Sequence, residues 1–278
     1  MGSGAGRVLA MAMAAMALGH APALQAQHVP PRDALQEAVD AVSGCMGQRR
    51  LVLLGEMHGT REIPRLVTRL AERFSLDGPV LLALEIHASE HRALADYLDG
   101  AGGDQARERL RQRPFWSVPP QRNDGRRSED MLDLVERMRQ LRGQGRDVAI
   151  LPFDVANGGS GGSKPRDRAM AAHLRKAWSA LPRGRMLVLA GNVHAMRARP
   201  AYAPAQMQEP AGAYLQDLAP VSIDIGAASG AFWACPDAGC GPVRIIPGMP
   251  AGTMDADEAF HCRVVLPRFS VARPVAGR

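Results

Sequence analysis

The chain has 278 residues, 46% of them hydrophobic and 22% charged, with a formal net charge of +6. That length buries a full core as one large domain. The cations are almost all Arg, with Lys only at Lys164 and Lys176, and they are scattered among Asp and Glu; with neither a basic stripe nor an aromatic platform, a nucleic-acid role is excluded as an expectation.

Residues 1–26 read as a secretory signal peptide. Arg7 gives a short positive region, and 8–18 is an apolar run too short to span a bilayer. Ala21-Pro22-Ala23 and Leu24-Gln25-Ala26 are the cleavage candidates. No Cys lies nearby, which argues against lipidation, and no other apolar stretch is long enough for a membrane helix. The expected location is periplasmic or secreted, with no transmembrane anchor in the mature chain and a single domain over 30–270.

Residues 32–42 have helical spacing. The stretch 51–62, LVLLGEMHGTRE, is an apolar run followed by a glycine, an acid and a histidine. It reads as a buried strand at 50–55 opening into a helix at 61–74, with Thr60 as N-cap. A second fully apolar strand at 80–84 ends in Glu85-Ile86-His87. Helices are expected at 89–98 and 104–113. The irregular polar stretch 118–127 reads as a loop over a pocket. Ser128 caps a helix at 129–142, and strand three, 148–153, ends in Asp154. After a Gly/Ser-rich loop come a helix at 166–180 and a strand at 186–190 that runs into Gly191-Asn192-Val193-His194. Short β-like runs at 221–225, 231–234, 243–246 and 262–266 are expected to pair at the sheet edge. Strands alternating with helices predict an α/β fold: a mostly parallel central sheet flanked by helices on both faces, with C-terminal edge strands.

The four cysteines are even in number in a chain expected to be exported, which favours disulfides. The preferred pairing is Cys235 with Cys240, a sterically easy local loop, and Cys45 with Cys262. A zinc knuckle is the alternative, but no second CxxC or HxxxH accompanies them.

Four strand ends carry polar groups: Glu56 and His58, Glu85 and His87, Asp154, and Asn192 and His194. Burying such groups unpaired after runs of Leu and Val is costly, and convergence in one pocket explains them. A neutral His beside a carboxylate is poised to take a proton from water. Two His with one or two carboxylates also form a divalent-metal set, here His58, His194 and Glu56. Gly55 and Gly191 would let the backbone turn and approach a ligand. Arg166, at a helix start, either clamps an anionic group or pairs with Asp167 or an acid of the pocket. Gly158–Gly162 formally matches GxSxG around Ser160, but a nucleophile elbow needs the serine directly between strand and helix.

GEMHGTRE at 55–62 and GNVHA at 191–195, with LALE at 82–85 and RDRAMA at 166–171 between them, resemble the motifs of the erythromycin esterase, ChaN-like haem-binding and Tiki/TraB proteins. The resemblance covers about 50–200. It implies an α/β fold with the motifs at strand ends. It also implies that His58 and His194 activate water or bind metal while Glu56 and Glu85 assist. Arg166, Arg61 and Asp154 are the candidate substrate contacts. The expected function is an exported hydrolase acting on a small-molecule or peptide ester or amide. The alternative is a non-catalytic protein that binds haem or another cofactor through one of its histidines.

Overall fold

In a computed structural model the described residues are Met1, 33–155, 163–201, 203, 207–246 and 259–275. Apart from Met1, the expected signal peptide lies outside them, and so does Ser160.

Helix α1 (Ala34–Met46) leads into β1 (Leu51–Glu56), α2 (Glu62–Phe74) and β2 (Val80–His87). Then follow α3 (His91–Asp99), α4 (Asp104–Arg111), α5 (Glu129–Gly143), β3 (Val148–Asp154), α6 (Ser163–Ser179), β4 (Arg185–Gly191) and the four-residue α7 (Asn192–Ala195). The chain continues through β5 (Val221–Ala227), the pair β6 (Ala231–Ala234) and β7 (Gly241–Arg244), and β8 (Cys262–Leu266). Six strands form one parallel sheet in the order β3-β2-β4-β1-β5-β8. The α/β reading and the parallel sheet are therefore observed.

The strands of the sheet are apolar on both faces, as a parallel sheet covered by crossover helices on each side requires. Successive side chains of a strand point to opposite sides. Val52 and Leu54 of β1 enter a core shared with Val39 of α1, Leu66 and Leu70 of α2 and Val135 and Met138 of α5. Leu51 and Leu53 enter a second core with Met170 and Leu174 of α6, Met196 and Phe260. At roughly 1.5–3 kcal/mol for each fully buried large apolar side chain, these two layers hold the sheet in place.

The structure changes three details of the reading. β5 is interior to the main sheet, between β1 and β8, while β6 and β7 form a separate antiparallel hairpin. The runs after 220 are thus not all edge strands. β2 does not stop at Leu84; it continues through Glu85 to His87, with a register irregularity between Leu84 and His87. Thr60 does not cap α2: Arg61 holds the cap position without a side-chain bond, and Thr60 is buried in an isolated bridge to Val271. Ser128 does cap α5, accepting from the Met131 N–H at 3.1 Å.

Cys45 in α1 is bonded to Cys262 in β8, and Cys235 to Cys240 across the turn of the hairpin. The C-terminal segment then crosses back over the sheet end. The Gly59 carbonyl accepts from Ala272 N–H and Trp233 N–H, and the Ser270 N–H donates to Glu62. No helix among the described residues is long and apolar enough to cross a membrane.

Candidate active site

The strand order places β3, β2, β4 and β1 side by side, so their carboxyl ends present one row of polar groups. Open parallel sheets bind ligands at this edge. Gly191 ends β4 directly opposite Glu56, the last residue of β1. Glu56, Glu85 and Asp154 are all buried at these ends.

Glu85 occupies the centre. Its Oε2 accepts from the Gly191 N–H at 2.7 Å, and its Oε1 accepts from Arg126 Nη1 at 3.0 Å and Arg166 Nη2 at 2.6 Å. Burial opposes its charge, but the surrounding His58, Arg126 and Arg166 hold the carboxyl down to about 2. Asp154 accepts from the same two guanidiniums, from Arg166 Nε at 2.8 Å and Arg126 Nη1 at 2.8 Å. Burial likewise opposes the charge on both arginines, and these carboxylates more than compensate, raising them further above the ordinary guanidinium range.

The two histidines stand on either side of Glu85. His58 Nδ1 lies 3.0 Å from Glu56 Oε1. A carboxylate only accepts, so Nδ1 carries the proton and donates it. His58 Nε2 remains 3.6 Å from Glu85 Oε2, too long for a well-formed hydrogen bond. Burial disfavours charge on His58, yet Glu85 and Glu56 override it and raise its pKa above the usual imidazole value. His194 Nδ1 lies 2.7 Å from Asp167 Oδ1, and its Nε2 lies 2.8 Å from Arg166 Nη1. Arginine only donates, so His194 Nε2 is an acceptor and Nδ1–H donates to Asp167. Both nitrogens of His194 are therefore engaged, whereas His58 Nε2 is turned to the cleft.

The cleft has a volume of about 290 Å³ and is lined by Glu56, Met57, His58, Asp124, residues 191–194, and Phe232, Trp233 and Ala234 of the hairpin. Gly191 makes the close packing possible. A Cβ there would stand 2.9 Å from His58 Nε2. Its φ is −49°, so the glycine supplies space for the imidazole and not an unusual backbone turn. Gly59 does need its φ of +75°, and a Cβ there would meet the Trp233 carbonyl at 2.3 Å.

His58, His194, Glu56, Glu85, Asp154 and Arg166 thus converge, as the motif spacing anticipates. Arg61 does not join them: its Nε donates to the Val271 carbonyl at 2.8 Å, committing it to the C-terminal segment. Arg166 pairs with the pocket acids and not with Asp167. Neighbouring residues on a helix face different directions, and Asp167 turns instead to His194 and the Ala211 N–H. Arg166 has every nitrogen occupied by Asp154, Glu85 or His194. His87 packs edge-on against Phe115, with burial lowering its pKa.

The metal set read from the sequence does not fit. His194 has no free nitrogen, its Nε2 accepting from Arg166 and its Nδ1 donating to Asp167, and Glu56 Oε1 is taken by His58 Nδ1–H; of the imidazole nitrogens in this set only His58 Nε2 is left without a close partner. Among the described residues no group of three His, Cys, Asp or Glu side chains is disposed to hold a metal ion.

Sequence reasoning missed Arg126, Asp124 and the hairpin wall, and placed Asp167 only as a partner for Arg166. Arg126 lies in an irregular stretch with no periodic signal. Its role is set by Asp124, which its Nη2 meets at 2.7 Å, and by Glu85 and Asp154.

No protein-family model and no curated protein matches the sequence. Solved structures of similar fold include a succinoglycan biosynthesis protein, at a TM-score of 0.63 and 12% identity, covering 84% of this chain and 92% of that one. A Bacillus cereus protein matches at 0.59 and 14% identity, over 87% of this chain and 94% of that one. A variant of the erythromycin esterase EreC in its open conformation matches at 0.63 and 13% identity, over 85% of this chain and 95% of that one. At such identities the likeness is one of fold.

Proposed function

We propose that the chain is an exported hydrolase of the erythromycin esterase-like type, acting on an ester or amide of a small molecule through water activated by His58. One observation carries this reading. His58 is held by buried Glu56 in the tautomer whose Nε2 faces the cleft, at the end of the sheet where ligands bind. The shared fold with an erythromycin esterase supports it.

In this reading His58 Nε2 removes a proton from water as the oxygen attacks the carbonyl carbon. Glu56 stabilises the imidazolium that forms, and His58 then returns the proton to the leaving oxygen or nitrogen. His194 acts differently. Fixed by Asp167, it holds Arg166 against Glu85 and Asp154, which helps keep the Glu85 carboxylate ionised beside His58. Asn192 lines the cleft with its Oδ1 engaged by the Val193 N–H at 2.9 Å, which leaves its amide NH₂ as the donor for the developing oxyanion. Export rests on residues 1–26 and on the two disulfides, which persist in oxidising compartments.

The test is a panel of simple esters with wild type, His58→Ala and His194→Ala, alongside metal analysis. His58→Ala is expected to lose about 10²–10⁴-fold in kcat/KM, and chelation is expected to leave wild-type turnover unchanged. Unaltered activity in both variants would overturn the reading. A Soret band on adding haem that disappears in His58→Ala would replace it with a haem-binding role.

A further inference from the structure

The cleft has two unlike sides. Glu56, His58 and His194 form its reactive side, and Trp233 gives it an apolar border, while the neighbouring Phe232, on the other face of its strand, packs with Met57 against the main core. Trp233 comes from the β6–β7 hairpin, which lies outside the main sheet and contributes nothing to the proton-transfer groups.

The wall is built to hold its position. The Trp233 N–H donates to the Gly59 carbonyl at 2.9 Å, and its indole Nε1–H donates to the Asn123 carbonyl at 2.7 Å. The hairpin is thus tied to the loop after β1 and to the stretch before α5. Gly59 and Gly125 both press against the Trp233 carbonyl with no room for a side chain. The Cys235–Cys240 disulfide closes the strands directly beyond Trp233. An indole fixed by its N–H keeps its ring as a rigid apolar surface.

Charge and size narrow what the wall receives. With His58 in its base form, the charged side chains lining the cleft are the carboxylates of Glu56 and Asp124. Burial opposes ionisation of Asp124, but Arg126 and Arg127 hold it well below the ordinary carboxylate range. Arg126 and Arg166 sit behind this surface, bonded to Glu85 and Asp154. A carboxylate on the substrate would face like charge. The volume of about 290 Å³ is at the small end of ligand pockets, roughly 300–1,000 Å³.

We infer that the stapled hairpin is the specificity wall of the site. Trp233 binds the uncharged apolar, ring-bearing part of a small ester or amide whose carbonyl lies at His58. The inference rests on the hydrolase reading for the reaction but on the hairpin alone for recognition.

Ethyl phenylacetate, ethyl acetate and monoethyl succinate, followed by proton release, test it. Wild type is expected to favour ethyl phenylacetate over ethyl acetate by about tenfold or more in kcat/KM, with monoethyl succinate the poorest. Trp233→Ala should lower the phenylacetate-to-acetate ratio about tenfold, chiefly through KM, and Trp233→Phe should restore most of it. Trp233→Gln gives a second reading if Trp233→Ala does not fold. An unchanged ratio in natively folded Trp233→Ala or Trp233→Gln, or a preference for monoethyl succinate, overturns the inference.

A binding arm separates the two proposals. Phenylacetamide is titrated calorimetrically into His58→Ala with and without Trp233→Ala. A Kd about tenfold weaker in the double variant upholds the wall even if none of the three esters is hydrolysed, which would sink the hydrolase reading alone. Equal Kd values, or no binding to His58→Ala, overturn the wall even where ester hydrolysis depends on His58.

Discussion

Glu56 and Gly191 act on the same imidazole from different sides. Glu56 accepts the Nδ1 proton of His58 at 3.0 Å and, with Glu85, raises its pKa against the opposing effect of burial. The base form therefore dominates only above the ordinary imidazole value of 6.5, and kcat/KM should rise with pH along an acid limb displaced upward. Glu56→Gln removes one of the charges that raise it. The limb should move to lower pH while the plateau falls about 10²-fold, read from a pH–rate profile. An unmoved limb would show that Glu56 does not set the titration. Gly191→Ala places a methyl 2.9 Å from His58 Nε2. Turnover should fall about 10²-fold with little change in Tm, because the ring must shift while the β4 backbone, with φ of −49° at this residue, accepts alanine.

At the scale of elements, each strand end supplies chemistry only because its strand is buried. The helices then decide which side chains are delivered. α6 sends Arg166 to Glu85 and Asp154, and its neighbour Asp167 to His194. α5 is anchored by Ser128, next to the stretch that supplies Asp124 and Arg126. Ser128→Ala should cost about 1 kcal/mol by denaturant unfolding, since the cap's accepting oxygen is lost. A ΔΔG near zero would show that the backbone bonds of Glu129 and Val275 to the neighbouring segments suffice at this end.

For the whole molecule, two long-range ties hold these elements in register. The Cys45–Cys262 bond joins positions 217 apart in sequence, linking α1 to the edge strand β8. Its removal by a double Ser substitution should cost about 2–5 kcal/mol; an unchanged denaturation midpoint would contradict that. The other tie is electrostatic. The Glu85 carboxyl lies at about 2 in the folded chain, below its ordinary 4.5. A depressed carboxyl stabilises the fold above its unfolded value, and this contribution is lost as pH falls through 4.5 toward 2. Tm measured across that window should decline more steeply in wild type than in Glu85→Gln.

The sequence by itself determined the strands, the helices and the polar ends they carry. A run such as LVLL followed by Gly, Glu and His is legible because local periodicity and burial are written in neighbouring residues. It also placed His58, His194, Glu56, Glu85 and Asp154 at one sheet edge, with Arg166 at a helix start, since the carboxyl ends of all strands of a parallel sheet lie along the same edge. Only the tertiary structure decided their partners. Arg126 reaches Glu85 across 41 positions, Asp167 reaches His194 across 27, and Trp233 meets Asn123 across 110. Such choices follow from which strands are neighbours and how irregular loops close over them, and no local pattern encodes that. The same limit explains Arg61, which reads as part of the motif yet serves the C-terminal segment at Val271. Where the motif implies two equivalent histidines, the fold makes them unlike: His194 is bonded at both nitrogens, and His58 keeps Nε2 for the cleft.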